Sequence, residues 1–194
     1  MTIQERRARD RAERRRLITA TARSIAEREG WDAVTTRRLS AEIEYSQPVI
    51  YKHFDSLGEI ADAVALDGFR ELAAALGAAR TTAAPADALQ AVARRYVAFA
   101  SGAPAVYDAM FSRPTRLHFG AGSEAGPSSA FAELRAAADP GVGDDDAELL
   151  TETLWAGLHG LVVLQRSARL RDEFQSARVD LLVHMIRPGG GGDL

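Results

Sequence analysis

Apolar residues recur at three-to-four spacing along most of the chain, and nowhere does an alternating run last long enough to define a strand. The pattern predicts an all-α protein. Leu17, Ile18, Ala22, Ile25 and Ala26 give one apolar face to a first helix over about residues 5–29, closed by Gly30. Trp31 and Val34 then anchor a turn. Thr35 or Thr36 caps a second helix carrying Arg37, Leu39, Ala41 and Ile43. Glu44, Tyr45 and Ser46 turn the chain. Pro48 stands near the first position of a third helix, where its missing N–H costs nothing. That helix carries Val49, Ile50, Tyr51 and Phe54 and ends near His53.

A long helix starts at residues 55–56 and runs through Ile60, Val64, Phe69, Leu72 and Leu76 to a break at 81–85. Helices over about 86–100 and from Pro104 to residue 111 follow. Next come a loop rich in Gly, Ser and Pro over 112–128, a short helix over 131–138 and a break at 140–146. Two long apolar helices over about 147–168 and 171–186 close the fold. Leu149, Leu150, Leu154, Leu161 and Leu164 are expected to meet Val179, Leu182, Val183 and Ile186. The glycine tail from Pro188 onward is expected to be disordered.

At 194 residues and 46% apolar, the chain can bury a substantial core. It has no cysteine, which excludes disulfides, zinc–thiolate sites and thiol nucleophiles. The longest apolar run, near 154–164, is interrupted by His159 and falls short of the roughly 20 residues that span a bilayer. The basic N-terminus lacks the apolar centre of a signal peptide. A cytoplasmic protein without a membrane partner is expected.

Charge divides the chain. Residues 1–55 carry 12 basic groups against 9 acidic, whereas residues 56–194 carry 12 against 18. Arg6, Arg7, Arg9, Arg11, Arg14, Arg15 and Arg16 crowd the start. A basic unit on a larger acidic one points to a polyanion partner for the first part only.

Two short helices joined by a tight turn, after a longer supporting helix, make a helix-turn-helix. Its second helix enters the major groove of double-stranded DNA. Gln47 suits a base edge, and Pro48 and Val49 offer apolar contact to a thymine methyl. Thr36, Tyr51 and His53 can donate to phosphates, and Lys52, the chain's single lysine, can neutralise one. Leu39, Ile43, Ile50 and Phe54 face inward.

The block "TTRRLSAEIEYSQPVIYKHF", preceded by Ala26 to Trp31, resembles the TetR family of transcriptional regulators across about residues 15–65. The resemblance implies phosphate contacts from Thr36 and Tyr51 and base contacts from Arg37, Gln47 and Pro48. It also implies backbone contacts near Lys52 and His53. Two positions depart from the pattern. Glu44 stands where glycine is common, so a left-handed backbone there would cost about 1 kcal/mol more. Leu57 replaces a phosphate-binding lysine.

The resemblance divides the chain into a DNA-binding domain over 1–56, a ligand-binding and dimerisation domain over 57–187 and a tail over 188–194. "LWAGLHGLVVL", with Trp155, His159 and Gly160, and "AVYDAMFSRP" resemble the subgroup with a Trp-His-Gly type C-terminal domain. Trp155 and His159 share a helix face. With Tyr96, Phe99, Tyr107, Met110, Phe111, Phe131 and Leu158 they are expected to line a mostly apolar pocket for a small-molecule effector. Packed core is the competing reading for each.

The resemblance implies a homodimer through the last two helices, and the family's habit implies repression at a palindrome. No metal is expected, because His53, His118, His159 and His184 show no helical ligand spacing. No phosphate loop, nucleotide fingerprint or nucleophile elbow is present, so neither an enzyme nor a cofactor is expected. The alternatives are a DNA-binding dimer without an effector and, remotely, an enzyme using His159.

Overall fold

The computed structural model describes residues 2–113, 127–138 and 144–186. Every regular element among them is helical: α1 (Ile3–Glu29), α2 (Thr36–Ile43), α3 (Gln47–Tyr51), α4 (Leu57–Thr82), α5 (Ala88–Gly102), α6 (Pro104–Phe111), α7 (Pro127–Ala138), α8 (Asp144–Arg166) and α9 (Gln175–Ile186). Packing groups them into two compact units. Residues Met1–Gly68 with α6 form one, and Phe69–Gly102 with α7 to α9 form the other. The cut therefore falls inside α4 rather than at residue 56, and α6 joins the N-terminal unit. The expected tail, His118, most of the loop over 112–128 and most of the break at 140–146 lie outside the described residues.

In the first unit, α1 begins two residues before its expected start. Thr2 accepts from the Glu5 amide at 3.2 Å while the Glu5 carboxylate accepts from the Thr2 amide at 2.7 Å. This reciprocal cap satisfies two donors that a helix start leaves open. Thr35, not Thr36, caps α2, accepting from the Arg38 amide at 3.0 Å. Glu44 ends α2 at φ 57°, ψ 31°, the left-handed conformation that its position in the turn requires. The third helix closes at Tyr51, because both the His53 and Phe54 amides bond the Ile50 carbonyl and tighten the last turn.

Ile18, Ala22, Ile25 and Ala26 of α1 meet Val34, Leu39, Ile50, Phe54, Ile60 and Ala105 in one buried cluster, with Trp31 and Ile43 packed at its edge. Burying one such large side chain contributes roughly 1.5–3 kcal/mol. The Trp31 indole donates to the Ala105 carbonyl at 2.8 Å. The Glu27 carboxylate accepts from the Ala105 and Val106 amides, each at 3.1 Å, and so caps α6.

The second unit packs α5, α7 and α9 around α8. Leu154, Leu158 and Val162 of α8, at four-residue spacing, are buried with Val179, Val183 and Ile186 of α9. Leu149 and Leu164, expected in this seam, are instead exposed at 64% and 45%. Both fall off the stripe set by 154, 158 and 162. Gly157 admits α9 closely, since a Cβ there would lie 2.9 Å from Leu182 Cδ1. Arg94 pairs with Asp180 at 2.9 Å across α5 and α9, and Arg80 with Glu133 at 2.8 Å across α4 and α7.

Candidate nucleic-acid interface

The amphipathic pattern of α2 and α3 decides what this site presents. Leu39, Ile50 and Phe54 turn inward to the α1 core, and the opposite faces are left to polar groups. Arg37, Gln47, Pro48, Tyr51 and Lys52 are exposed, Tyr51 at 52%, while Thr36 and Val49 are half-buried. Gln47 and Tyr51 are one turn apart on α3 and share a face. The Thr36 hydroxyl lies 3.5 Å from Gln47 Oε1, so the first turns of the two helices form one continuous surface. That surface carries guanidinium, amide, phenol and ammonium groups. It is suited to phosphate oxygens and base edges.

His53 departs from the expected donor set. It is 5% exposed, and neither ring nitrogen has a hydrogen-bond partner. The tight turn after α3 directs it toward α1, where Arg15 holds its backbone. Arg15 donates to the His53 carbonyl, pairs with Glu59 at 3.0 Å and stacks 3.9 Å from the Phe54 ring centroid. Burial lowers the His53 pKa from 6.5, and the charges of Arg11, Arg14, Lys52 and Arg15 lower it further. The imidazole is therefore neutral at pH 7.

Arg15 does not stand out in the sequence, because it sits within a run of seven arginines. Its one distinguishing signal is position: it lies three residues before Ile18, on the side of α1 that enters the core. Leu57, standing where a lysine is expected, opens α4 and is 38% exposed. Ser56 caps that helix by accepting from the Glu59 amide at 3.2 Å.

The residues expected at an effector pocket divide between the two units. In the second, Tyr96, Phe99 and Leu158 are buried, while Phe131, Trp155 and His159 are half-buried. The Trp155 indole donates to the Tyr96 hydroxyl at 3.1 Å, and the Phe131 ring meets Trp155 edge-on at 6.1 Å. Burial lowers the His159 pKa from 6.5, which favours a neutral imidazole. In the first unit, Tyr107 and Met110 are buried, and the Phe111 ring lies 4.7 Å from that of Tyr107.

A family model described as bacterial regulatory proteins, tetR family, matches residues 18–64. A second, described as the tetracyclin repressor-like C-terminal domain, matches residues 89–187. An uncharacterised HTH-type transcriptional regulator of Mycobacterium tuberculosis, Rv0681, is 26% identical over 158 residues, covering 81% of this chain and 72% of its own. Among solved structures, a tetR-family regulatory protein from Rhodococcus RHA1 superposes with a TM-score of 0.65 at 20% identity, covering 89% of this chain and 96% of that one. RolR in complex with resorcinol superposes with a TM-score of 0.65 at 16% identity, covering 94% of this chain and 92% of its own. At such identities the two structures establish the shared fold.

Proposed function

The chain belongs to the TetR family of DNA-binding transcriptional regulators, and from that premise we propose that it is a homodimeric repressor released from a palindromic operator by a small molecule. The observation that carries this reading is the surface shared by α2 and α3. Thr36, Arg37, Gln47, Pro48, Tyr51 and Lys52 lie there over a buried apolar face. Gln47, Arg37 and Pro48 read base edges, Val49 adds an apolar contact, and Thr36, Tyr51 and Lys52 hold phosphates. One such unit makes few contacts. Two copies, with recognition helices about 34–36 Å apart, sum their free energies on a palindrome.

The dimer is supported by apolar groups that the chain leaves uncovered on its last two helices. Leu149, Val163 and Leu164 of α8 and Leu181 and Met185 of α9 are 41–64% exposed. A second copy burying them removes that surface from water.

The effector is a small, largely apolar molecule. Support comes from Phe131, Trp155 and His159, aromatic groups left half-buried beside the buried Tyr96, and from the resorcinol bound by the structurally similar RolR. It acts by its differential affinity for DNA-competent and DNA-released forms. The compound is bound and not turned over, and the protein works where the chromosome is, in the cytoplasm.

The test is binding to DNA upstream of the protein's own gene, measured across salt concentrations beside a Gln47→Ala, Tyr51→Ala double variant. Tight binding that the variant loses supports the reading. No preference of the wild type over random duplex in any upstream segment removes it.

A further inference from the structure

The starts of α2 and α3 meet because Glu44, left-handed at φ 57°, reverses the chain between them. Thr35 caps α2, its hydroxyl accepting from the Arg38 amide at 3.0 Å. That frees the next hydroxyl, Thr36, from the helix start, and it donates instead to Gln47 Oε1 at 3.5 Å. Gln47 opens α3 just ahead of Pro48, and the preceding Ser46 makes no side-chain cap bond that would compete for it. Gln47 is exposed, so its amide nitrogen is left to the open side of the α2–α3 surface. A glutamine amide has two unlike ends. Paired with adenine it uses both, as Oε1 accepts from N6 and Nε2 donates to N7. Guanine presents two acceptors in the major groove, N7 and O6, and asks for donors alone. The end that Thr36 occupies is the acceptor. Bidentate pairing with adenine needs both ends along one base edge, which an Oε1 drawn toward α2 opposes. What remains for the duplex is the NH2 group with its two donors.

We propose that Thr36 determines specificity: it fixes the direction of the Gln47 amide, so that Gln47 reads guanine in preference to adenine. The inference rests on the DNA-binding reading of this surface and deepens it, since that reading gives Gln47 a base contact without saying which base it selects. Thr36 acts through Gln47 and is a positioning residue. A hydroxyl has one proton to give, and here it goes to Gln47. The phosphate contact expected of Thr36 then falls to its backbone amide, one of those that a helix start leaves without an intrahelical partner.

The experiment selects duplexes from a random-sequence pool with the full-length protein and sequences the bound fraction, so that no operator need be known. Wild type is compared with Thr36→Val, which keeps the shape at the helix start and removes the hydroxyl, with Thr36→Ser, which keeps the hydroxyl, and with Gln47→Ala. The base pair read by Gln47 is the one whose preference Gln47→Ala erases. There the wild type is expected to enrich guanine over adenine. Thr36→Val is expected to move the guanine-to-adenine ratio about tenfold toward adenine at that pair alone, the lower end of what one base contact discriminates. Thr36→Ser is expected to keep the wild-type ratio. A merely structural weakening of α2 lowers binding to every sequence alike and leaves that ratio in place.

Adenine enriched at that pair by the wild type overturns the proposal, as does a Thr36→Val ratio equal to the wild-type one. A Thr36→Val variant that binds all duplexes more weakly with every preference unchanged leaves Thr36 a phosphate contact only and overturns it too. So does a Gln47→Ala variant that selects the same sequences as wild type. Failure of the reading beneath looks different. A wild type that enriches no sequence removes the regulator reading and the proposal with it, whereas an enriched palindrome with an unmoved ratio removes only the role given to Thr36.

Discussion

The guanidinium of Arg15 sits 3.9 Å from the ring centroid of Phe54 and also donates to the carbonyl of His53, so a single α1 side chain brackets the turn after the recognition helix. Its other nitrogen reaches Glu59 at 3.0 Å, and the Glu59 carboxylate in turn accepts from the Asp55 amide at 2.7 Å. Stacking on an aromatic face contributes about 0.5–1 kcal/mol and a charge-assisted hydrogen bond about 1.5–3. The ion pair is about one-third exposed on both sides and adds little. Arg15→Ala is therefore expected to cost about 2–3 kcal/mol in the N-terminal unit. Urea unfolding followed by Trp31 fluorescence in a Trp155→Phe background reads that unit alone. A loss below about 0.5 kcal/mol would show that the bracket is ornamental.

Glu44 supplies the second test. It is exposed and left-handed, and glycine adopts that backbone without the clash of a Cβ. Glu44→Gly is expected to stabilise the N-terminal unit by about 0.5–1 kcal/mol, after allowing for the greater entropy of glycine in the unfolded chain. The midpoint of urea unfolding should rise with an unchanged slope. A fall in the midpoint means that the glutamate makes a contact worth more than its strain.

The buried His53 predicts a direction in pH. Its folded pKa is lowered from 6.5, by burial first and by the surrounding arginines and Lys52 next. Below pH 6.5 the unfolded chain therefore takes up a proton that the folded one refuses, and stability falls as the pH falls. His53→Gln is expected to flatten the decline between pH 7 and about pH 5 when Trp31 is the reporter. His159, also lowered by burial, pulls the same way in the other unit. The reporter in that unit, Trp155, should respond to His159→Gln and not to His53→Gln. A decline at Trp31 that survives His53→Gln would assign it elsewhere.

Leu181 and Met185 lie one turn apart on α9, at 50% and 60% exposure. Charges placed there leave the core untouched but cannot be buried against a second copy. Leu181→Asp, Met185→Asp is expected to yield a folded monomer by sedimentation and to weaken operator binding at least about a hundredfold, as a monomer reaches only one half-site. A dimer of unchanged stability would move the interface off α9.

Much of the protein is legible in the sequence because its signals are local. Three-to-four spacing marks the helices, Pro48 opens α3, and the inward set Leu39, Ile50 and Phe54 leaves Gln47 and Tyr51 to face outward. The left-handed turn at Glu44 is anticipated only through the resemblance, whose pattern commonly has glycine there. Less visible are the Thr2–Glu5 cap, hidden in a charged terminus, and the early end of α3, which depends on two amides sharing one carbonyl.

By itself, then, the sequence determined an all-helical chain with a basic helix-turn-helix at its start and an apolar helical body behind it. Periodicity, capping and residue type act over a few positions and need no partner from afar. Only the tertiary structure decided which of seven clustered arginines is a bracket. It alone withdrew His53 from the surface, moved α6 into the N-terminal unit and left Leu149 and Leu164 outside the α8–α9 seam. Each of those outcomes depends on where segments distant in sequence come to rest, and burial and charge pairing are properties of that arrangement rather than of any one stretch of residues.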